Sequence, residues 1–319
     1  MAMKQQKQRL TLVLFFLVLS LGSAQNLPVV FESVEGRSEI RPGEVVVLQV
    51  FGTKYEKIEV ALYDSSNRVL TRVPGYVRET EGLGYAFLPI PNTINAGYYR
   101  IDVILNVLGG QKSTIHRIIR VSPRTFPEER ITLTRELTNV RTANPSLRAR
   151  ESEILGQVLF TPNPKNWFWT DRFISPLENI RRTADYGARR LFLYDDGTSA
   201  TSIHGGRDYG GPIGTPVMAP GAGRVVFSGY RQVTGWTIVL EHLPGIFTLY
   251  YHLDSLVTTI GQVVAQGEKI GELGSTGLAT GPHLHWEARV LIDTVDPEFF
   301  IQVPLLDNTY RIFYNGEIQ

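Results

Sequence analysis

Two short segments that lie far apart in the chain carry residue types that could do chemistry. His283 and His285 are two residues apart, and because alternate residues of a β-strand point to the same face, both imidazoles would face one space. His204 and Asp208 are four residues apart in a glycine-bearing segment that we expect to be looped or extended rather than helical. Two histidines and one carboxylate are a common ligand set of catalytic zinc, which keeps a fourth position open for water.

The same two segments resemble the signature of a known family. Residues 204–208, His-Gly-Gly-Arg-Asp, and residues 281–285, Gly-Pro-His-Leu-His, look like the paired motifs of the LytM/lysostaphin-type zinc metallopeptidases, peptidase family M23. Similar residues continue between them, among them the Tyr-Tyr-His-Leu run at 250–253 and the Gly-Ser-Thr-Gly run at 274–277. The resemblance covers residues 167–300. One departure is Tyr186-Gly187, where relatives commonly have Phe-Gly.

The resemblance implies a role for each matching position. His204, Asp208 and His285 would bind Zn²⁺, which would activate a bound water and polarise the scissile carbonyl. His283 and His252 would lie beside the metal without binding it, one as general base and the other as oxyanion partner. Of the two assignments, we favour His283 as the base and His252 as the oxyanion partner.

The function that the resemblance implies is that of an exported zinc-dependent endopeptidase. Its substrate would be peptidoglycan, hydrolysed at the crosslinks between stem peptides or at interpeptide bridges. An alternative is a non-catalytic cell-wall or division factor that regulates other wall hydrolases, because some members of the family have lost metal ligands. Here all five positions are filled. Trp236, Tyr251 and Trp286 are candidates for the wall of a substrate groove, although aromatic residues on strands more often pack in a core.

The N-terminus predicts export. Residues 1–9 carry three positive charges, residues 10–21 are almost wholly apolar, and small residues follow up to Ala24. This is the layout of a secretory signal peptide, and the apolar run is short for a membrane span. We therefore expect residues 1–24 to be removed and the mature chain, without a membrane span, to reach the periplasm, the cell wall or the extracellular space. An uncleaved N-terminal anchor is the alternative.

Composition narrows the class of protein. The 319 residues are 43% hydrophobic and 20% charged, which is typical of a globular chain with about two domains. A net charge of +1 gives no support for nucleic-acid binding. There is no cysteine, which excludes disulfides, thiolate metal ligands and a cysteine nucleophile.

Residues 25–122 are predicted to form an immunoglobulin-like β-sandwich. Short alternating segments separated by turn residues predict seven strands, at 29–32, 45–51, 57–63, 68–73, 85–89, 98–107 and 113–121. This sandwich could position the enzyme on the wall or bind a protein partner. His116 lies on the last of these strands and is interpreted as a structural residue.

The rest of the chain is divided into three parts. Residues 123–165 are predicted to be a connector with one helix, at 147–159, that begins with Asn144 as cap and Pro145 as first residue. Residues 166–303 are the β-rich metallopeptidase domain, with a hairpin formed by 237–241 and 248–252 and with His242 as a residue of its end. Residues 304–319 are a C-terminal tail. The whole chain is thus expected to be mainly β, with few short helices.

Overall fold

The computed structural model describes residues 32–33, 39–51, 55–79, 81–107, 110, 112–168, 172–178, 181–304, 306 and 309–313. Over these residues the chain is mainly β with three helices, as the sequence predicts. The predicted signal peptide at 1–24 and most of the predicted strand at 29–32 lie outside them. Within the described ranges, none of the helices combines the length and hydropathy that crossing a bilayer requires.

The N-terminal region forms seven strands. They are β1 (Glu32–Ser33), β2 (Val45–Phe51), β3 (Tyr55–Tyr63), β4 (Val69–Arg78), β5 (Leu83–Pro89), β6 (Gly97–Val107) and β7 (Lys112–Val121). The strands β2 to β7 overlap the predicted ones. In β7, Ile115, Ile119 and Val121 are buried while most residues between them are exposed, which is the alternation that predicts a strand with one face on a core.

The connector differs from the prediction, because it has a strand and two helices instead of one helix. These are β8 (Glu128–Thr132), α1 (Arg135–Thr142) and α2 (Pro145–Phe160). The missed helix α1 has a capping signal in Thr134, whose Oγ1 accepts from the amide of Leu137 at 3.4 Å. Helix α2 begins at Pro145 as predicted, but Asn144 has a φ of 50° and makes no side-chain capping bond.

The C-terminal region is again built from strands. They are β9 (Arg181–Ala184), β10 (Arg189–Leu193), β11 (Ser199–Ile203), β12 (Gly206–Gly210), β13 (Pro216–Met218), β14 (Gly223–Arg231), β15 (Gly235–Leu243), β16 (Ile246–Leu256), β17 (Val263–Val264), β18 (Lys269–Leu273), β19 (His283–Val290) and β20 (Asp293–Val295), followed by α3 (Pro297–Gln302) and β21 (Thr309–Phe313). The main sheet has the order β17-β14-β15-β16-β19-β12-β9. The predicted hairpin is formed by β15 and β16.

The N-terminal strands form two sheet halves that share β4. Its first half pairs with β3 up to Pro74, and its second half pairs with β5 from Gly75 onward. A Cβ at Gly75 would lie 2.6 Å from Ile58 Cβ, so glycine allows β4 to pass close to β3 at the residue where its pairing changes. Strands that pass from one sheet to another are a feature of packed two-sheet architectures. The immunoglobulin-like class of this unit stays a prediction.

Part of the segment that is expected to be a C-terminal tail is a strand of the N-terminal sheet. In the order β1-β21-β2-β5-β4-β3-β6-β7, strand β21 pairs in parallel with β2 and antiparallel with β1. The chain therefore returns from the C-terminal region to the N-terminal sheet. The backbone of β2 gains a second hydrogen-bonded neighbour that local sequence pattern does not reveal.

The connector packs on the C-terminal region. Strand β8 pairs in parallel with β10, and β10 pairs with β11, which gives a separate three-stranded sheet. Leu155 and Leu159 of α2 are buried against apolar residues of the main sheet, among them Phe247 and Leu249. The connector is thus held at both of its ends by the C-terminal region.

The N-terminal unit and the C-terminal region share buried polar contacts. Asn92 donates to the hydroxyl of Tyr186 at 2.9 Å, and that hydroxyl donates to the carbonyl of Thr294 at 2.8 Å. The amide of Asp296 donates to the carbonyl of Gly43 at 2.7 Å. Arg124 pairs with the Asp296 carboxylate, which also accepts from Arg207. Because these groups are buried and mutually satisfied, they fix the two units against each other.

Deleting residues 305–319 tests the role of β21. We expect the free energy of unfolding to fall by about 1–3 kcal/mol, because several backbone hydrogen bonds of β2 are lost. Amide hydrogen exchange should accelerate on β2 at the N–H groups that face β21, while β6 keeps its protection. Unchanged exchange on β2 would contradict the pairing.

Candidate metal centre

The register of two neighbouring strands brings Asp208 and His285 together. Strands β12 and β19 are antiparallel, and Asp208 lies directly opposite His285, a relation that places two side chains on the same face within contact distance. On β19 the alternate residues Leu284 and Trp286 are fully buried in the core. His283 and His285 therefore share the other face, as the spacing predicts.

His204 reaches the same place from the turn between β11 and β12. Its amide donates to the carbonyl of Ala188 at 2.9 Å, which holds the residue in an extended segment rather than a helix. A Cβ at Gly206 would lie 2.3 Å from the carbonyl oxygen of Trp286. Glycine at this position thus allows β12 to run close to β19 directly after His204.

The three side chains form a compact cluster of possible metal-binding atoms. His204 Nε2 lies 3.0 Å from Asp208 Oδ1 and 3.0 Å from His285 Nδ1. Asp208 Oδ1 lies 2.7 Å from His285 Nδ1. All three residues are buried, and among the described residues this is the group of three or more that could hold a metal ion. The structure thus brings together the three residues that the sequence predicts as ligands.

Hydrogen bonds outside the cluster fix which nitrogen of each histidine faces it. His204 Nδ1 donates to the carbonyl of Asp185 at 2.7 Å, which leaves Nε2 as the inward atom. His285 Nε2 lies 3.1 Å from Glu287 Oε1, which leaves Nδ1 as the inward atom. Such outer partners orient metal-binding histidines. Glu287 is two residues beyond His285 on the same strand face, so the period of the strand could have identified it.

The electrostatic coupling between these groups is strong. Burial raises the pKa of Asp208, but hydrogen bonds from His204 and His285 outweigh it and hold that pKa well below its usual value. Burial lowers the pKa of His285, yet Asp208 and Glu287 outweigh it and raise that pKa to about 9. The pKa of His204 is lowered by burial. Without a cation, the cluster therefore holds a proton on His285 at neutral pH.

Arg190 is a site residue that sequence reasoning missed. Its Nη2 donates to Asp208 Oδ2 at 2.7 Å, and its Nε donates to Glu129 Oε2 at 2.7 Å. Asp208 thus uses one oxygen for the cluster and the other for a guanidinium. Glu129 lies on β8 and Arg190 on β10, so their contact depends on a strand pairing that no local motif encodes.

His283 and His252 lie side by side at the edge of the cluster. Their ring centroids are 4.7 Å apart, and His283 Nε2 is 3.9 Å from Asp208 Oδ1. His283 Nδ1 donates to the carbonyl of Gly281 at 2.8 Å, and His252 Nδ1 donates to that of Thr276 at 2.7 Å. In the neutral ring, each Nε2 is then a proton acceptor.

A local irregularity of β16 aims His252 at this position. The pairing of β15 with β16 shifts register between Trp236 and Ile238, and His252 has a φ of 61°. A left-handed residue in a strand is strained, and bulges of this kind often re-aim a side chain beside an active site. Burial, and then the neighbouring histidines His283 and His285, lower the pKa of His252 to about 3, while burial lowers that of His283.

The cluster opens into a cavity of about 460 Å³. The four histidines and Asp208 line it together with residues of the connector, including Ile131, Leu133 and Arg141. The His283 side chain is 17% exposed, whereas that of His204 is 1% exposed. Access to the cluster is thus from the His283 side, through a cavity partly walled by β8 and α1.

The other sequence candidates have different surroundings. Tyr251 lines the cavity and stacks on His285, with ring centroids 5.1 Å apart. Trp286 is fully buried and so cannot line a groove, because its side chain lies on the core face of β19. Trp236 is 39% exposed on β15. His242, on β15, bonds to the carbonyl of Ala222 and to Thr248, and His116 is a partner of Asp102.

Comparison with known proteins agrees with this geometry. Residues 202–297 match the sequence model of peptidase family M23. Peptidoglycan DD-endopeptidase ShyC of Vibrio cholerae serotype O1 is 41% identical over 116 residues, which cover 36% of this chain and 26% of that protein. DD-carboxypeptidase/endopeptidase Mpg of Neisseria meningitidis serogroup B is 44% identical over 124 residues, which cover 39% and 28%. The chain thus spans just over a quarter of the length of these relatives.

A solved structure described as a peptidase M23 from Pseudomonas aeruginosa has the same overall fold. It superposes with a TM-score of 0.55 at 22% identity and covers 82% of this chain and 94% of that one. The matched family region contains β12 and β19, whose pairing brings Asp208 and His285 together. Residues 202–297 of this chain therefore match peptidase family M23 in sequence and contain the strands that carry the cluster.

Proposed function

We propose that this protein is a zinc-dependent endopeptidase that hydrolyses peptide crosslinks or bridges of bacterial peptidoglycan. The observation that carries the proposal is the placement of two neutral histidines, His252 and His283, beside the His204–Asp208–His285 cluster in one cavity. Two relatives named as peptidoglycan or DD-endopeptidases support the choice of substrate. We further propose export through the signal peptide at 1–24, since peptidoglycan lies outside the cytoplasm.

The residues present fit a zinc ion. His204 Nε2, His285 Nδ1 and Asp208 Oδ1 would hold it, and both imidazoles have their other nitrogen occupied by an outer partner. Two imidazole nitrogens and one carboxylate oxygen are a donor set of catalytic zinc sites. When bound, the ion supplies Lewis acidity toward water and toward a peptide carbonyl.

The two remaining histidines, His252 and His283, would take part in proton transfer and in stabilising the oxyanion. His283 is the more accessible, and its Nε2 is positioned to accept a proton from the attacking water and return it to the leaving amine. An oxyanion partner has to donate a hydrogen bond, but neutral His252 carries its proton on Nδ1, which is bonded to Thr276. His252 can therefore stabilise an oxyanion only after its Nε2 has taken up a proton.

Removing His283 tests the enzymatic proposal. Purified protein should release muropeptides from peptidoglycan, the release should stop with a metal chelator, and His283→Ala should slow it by about 10²–10⁴-fold. The matched control is His116→Ala, since His116 has a 60% exposed side chain and lies outside the cluster. Unchanged muropeptide profiles with folded, zinc-loaded protein would instead favour a non-catalytic factor that regulates other wall hydrolases.

Glu287→Gln tests how the metal ligands are oriented. We expect zinc affinity, measured by competition with a chromophoric chelator, to fall by about 10- to 100-fold, because His285 loses the carboxylate that fixes its tautomer. The control is Glu272→Gln on β18, where the carboxylate pairs with Lys269. Thermal unfolding of the metal-free proteins separates lost affinity from lost folding. Equal zinc affinity in folded Glu287→Gln and in the wild type would remove Glu287 from the site.

Zinc affinity should also depend on pH. Below about 9, His285 of the metal-free protein is protonated, and zinc has to displace that proton. Because one proton is released for each zinc ion bound, the apparent zinc affinity should rise by up to about tenfold per pH unit between pH 7 and 9. Above that range the rise should level off. Calorimetry in buffers with different ionisation enthalpies would count the protons. Affinity that stays flat between pH 7 and 9, with no proton released, would contradict the coupling of His285 to Asp208 and Glu287.

A further inference from the structure

Helix α1 of the connector contributes to the wall of the cavity that contains the histidine cluster. On one side, the amide of Asp195 donates to Thr138 Oγ1 at 3.3 Å, and the amide of Leu133 donates to the carbonyl of Leu193 at 2.9 Å. On the other side, Gln232 Nε2 donates to the carbonyls of Val140 and Ala143 at 2.9 Å each. The segment that contains the helix is thus tied to the β10–β11 hairpin and to the tip of the β14–β15 hairpin.

Arg141 is the cationic residue that α1 contributes to the cavity wall. Its guanidinium stacks on Phe192, with Cζ 3.8 Å from the ring centroid, and its Nε donates to the hydroxyl of Tyr194 at 3.0 Å. These two contacts fix the plane of the guanidinium. A planar guanidinium held in this way presents its two Nη groups as a fork, the geometry that binds a carboxylate with two parallel hydrogen bonds.

The carboxylates of the cavity wall already have cationic partners. Asp208 accepts from Arg190, and Glu287 accepts from Arg289 at 2.7 Å. Among the described residues, no carboxylate lies within ion-pair distance of Arg141. A partly buried guanidinium that is fixed by an aromatic ring and lacks an anionic partner is a ready site for an anionic ligand.

From these contacts we infer that Arg141 binds the free terminal carboxylate of a peptide whose scissile bond lies at the histidine cluster. The inference rests on the proposed function and gives its substrate class: peptides that end a short distance beyond the cleaved bond. A carboxylate fits because Arg141 and His283 line the same cavity, where the guanidinium of Arg141 is held by Phe192 and Tyr194 and has its Nη groups left for a ligand. Arg141 is thus a specificity-determining residue contributed by the connector, outside the family-matched region at 202–297.

Binding is the direct test, with hydrolysis blocked. In a His283→Ala background, which keeps the three metal ligands, calorimetry would compare a stem tetrapeptide that has a free terminal carboxylate with the same peptide ending in a carboxamide. We expect the carboxylate form to bind about tenfold more tightly, which corresponds to about 1.4 kcal/mol. Adding Arg141→Gln should abolish that preference and leave binding of the carboxamide unchanged within about twofold. Arg141→Lys should keep part of the preference, since the charge remains without the fork.

Arg135→Gln is the matched control. It removes the same charge from the same helix, but the Arg135 side chain is 83% exposed and pairs with Asp195, so the preference for the carboxylate should persist. Thermal unfolding and zinc affinity would establish that each variant is folded and loaded. Equal affinity of wild-type Arg141 protein for both peptides, undetectable binding of either, or a preference that survives Arg141→Gln would overturn the inference.

The outcome is separable from that of the proposed function. If the protein is not a peptidase, no peptide is hydrolysed in the His283 protein, while a preference for the carboxylate that depends on Arg141 can still be measured. If the protein is a peptidase but Arg141 has no such role, both peptides are hydrolysed at the same rate and Arg141→Gln changes neither rate selectively.

Discussion

The pairing register of β12 with β19 is the constraint on which the cluster of His204, Asp208 and His285 depends. It places Asp208 opposite His285 and, through the short glycine segment before β12, brings His204 to the same point. The register is strongly specified because the other face of β19 is buried in the core, so a shift by one residue would exchange histidines for Leu284 and Trp286. The apolar core and the polar cluster thus lie on opposite faces of β19. Packing of Leu284 and Trp286 in the core therefore fixes the position of His283 and His285.

Hydrogen bonds to groups outside the cluster give the histidines their separate roles. Four imidazoles lie close together, yet each has one nitrogen committed to a carbonyl or a carboxylate, and the remaining nitrogen determines what the residue can do. His204 and His285 direct Nε2 and Nδ1, respectively, at the cluster, whereas His252 and His283 keep acceptors at its edge. Burial lowers the pKa of His252 and His283 and so keeps them neutral. The same low polarity strengthens the coupling of Asp208 to its partners.

The sequence predicts those parts of the molecule that follow from local pattern. Alternation predicts β2 to β7, the β15–β16 hairpin, and the shared face of His283 and His285, while family resemblance supplies His204, Asp208 and His252 as their companions. The residues that the sequence does not identify come into contact only through strand pairings between distant segments of the chain. Arg190 reaches Glu129 only because β8 pairs with β10, and β21 joins the N-terminal sheet although its sequence carries no sign of that partner. The sequence does not predict helix α1, because the helix has only eight residues. Its N-cap, Thr134, is recognised as a cap only from the hydrogen bond that it makes in the structure.

We propose that three side chains, those of His204, Asp208 and His285, converge on one zinc ion and leave a coordination position open. A structure of the zinc-loaded protein, supported by X-ray absorption at the zinc edge, measures this most directly. We expect His204 Nε2 and His285 Nδ1 to lie about 2.0–2.1 Å from the zinc, Asp208 Oδ1 to lie about 2.0–2.2 Å from it, and a water to be the remaining ligand. Zinc bound elsewhere, Asp208 turned away from the ion, or the fourth position filled by a further protein ligand would contradict it.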